Sequence, residues 1–122
     1  LKTKIMRNFR EYEIWKESML LAKNIYFCTD KFPKHNAIAN QMQRAAISIP
    51  SNIAEGASRK SPTEFARFLE IAIGSAFELE TQIELSHSLN HLNKNDYAIL
   101  ISNIISIEKK ISTLISKIRN SQ

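Results

Sequence analysis

Helix-breaking residues are scarce in this chain: two glycines and three prolines stand among 122 residues. A backbone with so little turn chemistry cannot be divided into many short strands, so it must form a few long segments. Apolar residues recur at intervals of three and four, and nothing alternates with period two over a useful length. That is the helical period, and the expected fold class is all-α.

The breakers and caps divide the chain into four helices of about 9–31, 36–55, 62–91 and 96–118, with turns near Phe32–His35, Gly56–Ser61 and Leu92–Asn95. Asn8 and Glu11 have capping-box spacing, and Pro33 stops the first helix. Tyr12, Trp15, Met19, Ala22 and Tyr26 give its expected buried stripe, widened by Leu21, Ile25 and Phe32. Ile38, Met42, Ala45, Ile49 and Ile53 do the same for the second helix. The third start is the best marked: Ser61 as N-cap, Pro62 at N1 and Glu64 at N3. Short turns between long helices make antiparallel neighbours, so the expectation is one domain, 1–122, folded as an antiparallel up-down-up-down four-helix bundle.

The stretch IPSNIAEGASRKSPTEFARF, residues 49–68, is where these rules collide. Pro50 removes a backbone bond inside a helix and predicts a kink. Asn52 is expected to bond carbonyls freed there. Glu55 opposes the dipole at a helix C-terminus and needs a cation, with Arg59 or Lys60 nearby. Gly56 is expected to end the helix in the left-handed conformation. Arg44, Ser48, Ser51, Asn52 and Glu55 share one helix face, either an ordinary polar stripe or a contact face. Gly74 and Ser75 sit in mid-helix, which predicts close approach to the second helix, with Arg44 reaching Glu70 or Glu78.

Catalytic chemistry is not visible. There is no G-x-S-x-G, no phosphate-binding glycine loop and no oxyanion loop. Glu84, His87 and His91 have ligand-like spacing, but no second Glu-x-x-His completes a di-iron set. Cys28 and His35 form a thiol–base pair only on paper, since a free cysteine on an apolar face is ordinarily a small core residue. The expectation is a non-enzyme with no catalytic residue, metal or cofactor. A lone cysteine fits a reducing compartment, and the first residues have no apolar signal core. The longest uncharged apolar run, Tyr97 to Ile107, falls short of the ~20 residues of a membrane span. The chain therefore reads as cytoplasmic, with no membrane partner.

Charge is uneven. Residues 1–60 carry 11 Lys and Arg against 5 Asp and Glu, whereas residues 61–92 carry Arg67 against Glu64, Glu70, Glu78, Glu80 and Glu84. An up-down bundle places the start of the first helix beside the end of the fourth. Lys2, Lys4, Arg7, Arg10, Lys109, Lys110, Lys117 and Arg119 should then form one basic surface suited to RNA or DNA. The alternative is a structural protein–protein interaction module whose charge is incidental. Ile99 and Ile105 fall outside the apolar stripe of the fourth helix, which points to a subunit contact and a homo-oligomer.

Several pieces of the sequence together resemble a known bacterial family. They are Gln43-Arg44-Ala45, Ser48-Ile49-Pro50-Ser51-Asn52-Ile53-Ala54-Glu55-Gly56, Phe65 with Phe68-Leu69, and Ala72-Ile73-Gly74-Ser75 with Glu78 and Leu79. Trp15, Tyr26 and Phe32-Pro33 fit its first helix and turn, while Tyr12 departs from an expected aliphatic residue. The family is that of four-helix-bundle proteins encoded by intervening sequences of 23S ribosomal RNA genes, similar to the accessory variability protein of diversity-generating retroelements. The resemblance implies a four-helix bundle and a ring-like assembly, with a pentamer the preferred count. It further implies a basic surface and, in the retroelement relatives, work with a reverse transcriptase and its RNA template. Pro50, Asn52, Glu55, Gly56, Arg44, Gly74, Ser75 and Glu78 read as structural residues of the motif.

Overall fold

The computed structural model of the protein describes residues 7–121. Four helices follow a short 3-10 turn at Phe9–Glu11: α1 Glu13–Thr29, α2 Ala37–Ala57, α3 Pro62–Ser88 and α4 Lys94–Asn120. Three starts carry side-chain caps. Asn36 accepts from the Ala39 amide at 3.0 Å, Ser61 from Glu64 at 3.0 Å, and Asn93 from Asp96 at 2.7 Å. Each satisfies a backbone donor that a helix start leaves free. Asn93 is thus a cap rather than a breaker, and α4 begins two residues before the expected Asp96.

Two other boundaries differ from expectation. Asn8 caps the 3-10 turn through the Arg10 amide, and Tyr12 is extended at ψ 127, so α1 starts at Glu13. Helix α3 stops at Ser88 rather than His91, because Asn90 adopts φ 62. The His91 amide then donates to the Ser86 carbonyl at 2.9 Å and the Asn90 amide to His87 at 3.0 Å. This is a Schellman closure with asparagine in the usual glycine position.

Among the described residues α1 packs on α2 and α4, and α3 packs on α2 and α4, so α1 and α3 are diagonal. Leu21, Ile25, Met42, Ile49, Leu69, Leu79, Ile104 and Ile111 are among the fully buried side chains that fill the space between. The expected stripe of α1 holds only in part: Leu21, Ile25 and Phe32 are buried, but the series from Tyr12 to Tyr26 is not the core face. Ile14, Ser18, Leu21, Ile25 and Cys28 face the core, while Met19 and Tyr26 are exposed and Trp15 and Ala22 only half-buried. Ser18 tolerates burial because its hydroxyl donates to the Trp15 carbonyl at 3.0 Å.

The α2–α3 corner also corrects the reading of Gly56. No glycine has positive φ, and α2 runs unbroken through Pro50 and Gly56 to Ala57. Gly56 is needed because α3 lies against it: an added Cβ would stand 2.6 Å from Phe68 Cβ and 3.1 Å from the Phe65 ring. Glu55 does find its cation in Arg59, at 2.9 Å. Asn52 donates to the Ser48 carbonyl at 2.8 Å and the Ser48 hydroxyl at 3.0 Å, not to the Ala46 carbonyl that Pro50 leaves free. Ser48 in turn meets Ser75 across α2 and α3 at 2.8 Å.

Gly74 is the reverse case. Nothing lies within 4 Å of a Cβ built there, so it is not a point of close approach within the chain. Arg44 makes no ion pair among the described residues. It lines a cavity of about 420 Å3 with Gln41, Ser48, Ser75 and Glu78, while Glu70 pairs instead with Arg119 at 2.8 Å.

Candidate nucleic-acid interface

The antiparallel topology brings the starts of α1 and α3 and the ends of α2 and α4 to one end of the bundle. Lys2 and Lys4 lie outside the described residues. The remaining expected cations do gather there, but they are not equivalent.

Arg7 donates to the Arg59 carbonyl and lies 4.8 Å from the centre of the Phe65 ring. Arg10 lies 4.5 Å over Phe9, which itself meets Trp15 edge-on at 5.3 Å. Aromatic faces hold these guanidiniums without neutralising them. Lys117 lines a cavity of about 320 Å3 with Arg7, Tyr12, Pro62, Phe65 and Leu114. Lys109 is exposed on the neighbouring face of α4. None of these four cations has a carboxylate partner within ion-pair distance among the described residues.

Lys110 and Arg119 are different. The Lys110 ammonium donates to Glu13 at 3.0 Å and Glu17 at 2.8 Å, tying α4 to α1. Glu17 first, then Glu13, raise its pKa above the usual lysine value. Arg119 is held by Glu70 of α3. Both therefore act as ties between helices rather than as free members of the expected basic surface.

Sequence reasoning missed Arg59 and Lys60 of the α2–α3 corner. Arg59 lies 4.7 Å over the Phe68 ring while bonded to Glu55. Their position in the turn beside Ser61-Pro62 was the available signal, since that turn must sit at the same end as the start of α1.

The opposite end and the α3–α4 seam hold the remaining titratable groups. Tyr97 donates to Glu84 at 2.8 Å and stacks on His87 at 3.9 Å. His91 meets Asn36 at 3.4 Å and packs on Phe32 at 5.2 Å. No group of three or more His, Cys, Asp or Glu able to hold a metal ion occurs among the described residues. Burial, then Asp96, push the Cys28 thiol up, away from reactive thiolate.

One acidic pair went unforeseen. Glu108 of α4 is pushed up to about 8 by burial, then by the hydrogen bond and charge of Glu80 on α3. Its Oε2 is buried with no donor facing it unless a proton sits between the two carboxyls. Among the described residues no helix is long and apolar enough to cross a membrane.

Residues 10–113 match the family described as 23S rRNA-intervening sequence protein. A solved structure from Bacteroides thetaiotaomicron, a protein of unknown function from the S23 ribosomal protein family, has a TM-score of 0.80. It is 24% identical and covers 84% of this chain and 97% of its own, and at that identity the likeness concerns the fold. No curated protein matches the chain.

Proposed function

From the premise that this chain belongs to the family of 23S rRNA-intervening sequence proteins, we propose that it is a non-enzymatic, self-assembling bundle that holds a nucleic-acid backbone. The observation that carries this reading is the set of cations at one end without carboxylate partners among the described residues: Arg7, Arg10, Lys109 and Lys117. Unpaired cations release condensed counterions when they meet phosphate, whereas Lys110 and Arg119 would first have to leave their glutamates. Base-specific readout is not supported. The aromatic rings at this end are covered by arginine or packed on neighbours, so they are not open to stack on bases. In an assembly of several copies, a pentamer being the preferred count, the same weak contact repeats and avidity replaces affinity. A reverse transcriptase carrying an RNA template is one partner such a surface suits.

A second reading, a protein-interaction module, is favoured by the apolar groove between α1 and α2 described below. The two separate on salt. Binding to structured RNA and to duplex DNA should weaken steeply with salt, with a log–log slope of about −0.7 per phosphate contact on single strands. The double substitution Lys109→Glu, Lys117→Glu should reduce both the affinity and the slope. Affinity indifferent to salt, or no binding at low salt, leaves the protein-interaction module.

A further inference from the structure

Among the described residues ten large apolar side chains are exposed, and eight of them fall in two patches rather than scattering. Met19, Tyr26, Phe27 and Ile47 line a groove between α1 and α2 of about 800 Å3. Ile71, Phe77 and Leu85 stand on the outer face of α3, with Leu89 at its C-cap. Because α1 and α3 are diagonal, the groove and this ridge lie on well-separated sides of the bundle. Single exposed apolar residues are ordinary, but contiguous patches mark contacts.

We infer that the α1–α2 groove of one subunit receives the outer face of α3 from a second copy of this chain, head to tail. The inference rests on the self-assembly proposed above and names its contact. Three observations fit the two surfaces to each other.

The first is shape. Ile71 and Phe77 lie one turn either side of Gly74, so the ridge has a bare backbone at its centre. The groove lining includes the small side chains Ala22, Pro50, Ser51 and Ala54 beside the larger Trp15, Met19, Tyr26 and Ile47. A glycine set against small residues lets two helices approach closely. That gives Gly74, a mid-helix glycine with open space around it, a reason to be there.

The second is charge. Helix α3 carries five glutamates against Arg67, of which Glu70 already binds Arg119 and Glu80 faces Glu108, whereas Lys23 stands on the groove edge with Lys16 two turns away on the same side of α1.

The third is order. When the two helices run antiparallel with Arg67 level with Asp30, Lys23 comes level with Gly74, bracketed by Glu70 and Glu78. Lys16 then comes level with Thr81, bracketed by Glu78 and Glu84. Glu13 and Glu17, which come level with Glu84 and Glu80, are held toward α4 by Lys110, so Lys23 and Lys16 are the α1 charges left to meet the glutamates of α3.

Because the two surfaces differ, the contact is heterologous and each copy offers one of each kind. Repetition closes a ring or extends a fibre. This predicts complementation between two defective chains. Gly74→Arg blocks the ridge, and Met19→Arg blocks the groove; both sites are exposed, and thermal unfolding checks that each variant folds. By sedimentation velocity at micromolar concentration, the wild type should exceed a dimer and each variant alone should be monomeric. The equimolar mixture should form a one-to-one dimer through the single intact pair of surfaces. Phe77→Glu and Ile47→Glu should repeat the pattern. A mixture that stays monomeric while both parts are folded overturns the contact. So does a Gly74→Arg variant that assembles like the wild type. A wild type that is itself monomeric overturns self-assembly as a whole, which distinguishes failure of that reading from failure of this interface.

Discussion

The two glycines of this chain occupy helices that pack on each other, yet they answer to different constraints. Gly56 is buried at the α2–α3 corner, where a methyl group would collide with Phe68 Cβ at 2.6 Å. Gly74 faces open space. Glycine costs about 1 kcal/mol relative to alanine in a helix interior. At Gly56 that cost is offset inside the chain by the approach of two helices. At Gly74 nothing inside the chain offsets it. One glycine is thus a requirement of folding, and the other is accounted for only by the contact between copies proposed above. The same contrast separates Lys110, bonded to two glutamates, from Lys109 beside it, which has none.

The sharpest way to break this comparison is Gly56→Ala. The clash is with a Cβ fixed to the α3 backbone, not with the end of a flexible side chain. Overpacking of about 3 kcal/mol should exceed the helix-propensity gain of about 1 kcal/mol, for a net loss of about 2 kcal/mol in urea unfolding. An unchanged midpoint would mean that the corner yields freely. The matching substitution, Gly74→Ala, should have the opposite sign: a gain of about 1 kcal/mol, measured at the lowest workable concentration so that association does not contribute. If both changes destabilise, the distinction between the two sites fails.

A smaller effect is expected from the lysines. Lys110→Glu places a third carboxylate beside Glu13 and Glu17 and should lower the melting temperature, while Lys109→Glu should leave it unchanged and weaken nucleic-acid binding. The reverse result would exchange their roles. The smallest effect concerns the acidic pair. The carboxyl of Glu108 has its folded pKa raised to about 8 from an ordinary value near 4.5. In that window the folded state holds a proton that the unfolded state has released, so stability declines as pH rises through it. Glu108→Gln should flatten the decline between about pH 4.5 and 8. A slope identical to that of the wild type would show that Glu80 and Glu108 titrate independently of folding.

Much of the fold is legible in the sequence because its caps are chemical. Ser61-Pro62-x-Glu64 and Asn36 name their helix starts by side-chain oxygens at fixed offsets from free amides, and Asn93 caps α4 in the same way although its spacing reads as part of the turn. What the sequence hid was which face of α1 turns inward. Two stripes there share the helical period, and the aromatic one looks more apolar. Ser18 and Thr29 disguise the true core face, because a hydroxyl bonded to its own helix, as Thr29 is to the Ile25 carbonyl at 2.7 Å, buries as readily as an apolar group. At the basic end the charges were legible but their pairing was not. Lys110 meets Glu13 across almost the whole chain, and no local rule reports that distance. The left-handed residues were misplaced for a related reason: Gly56 was the evident candidate, whereas His35 and Asn90 adopt the conformation.

The four-residue corner from Ser58 to Ser61 has a further consequence, which concerns time rather than stability. It is the shortest of the three connections between the helices, and its stops are built from neighbours: Ser58 donates to the Glu55 carbonyl at 2.6 Å, and Ser61 accepts from Glu64. Bringing α2 and α3 together therefore loses little chain entropy, whereas α1 and α4 must close almost the full sequence before they touch. Contacts between near neighbours form early in small helical proteins. The α2–α3 hairpin is then the expected nucleus, and α1 the last piece to dock. In stopped-flow refolding, a substitution at Gly56 should slow the folding arm, while one at Ile14 should mainly speed unfolding.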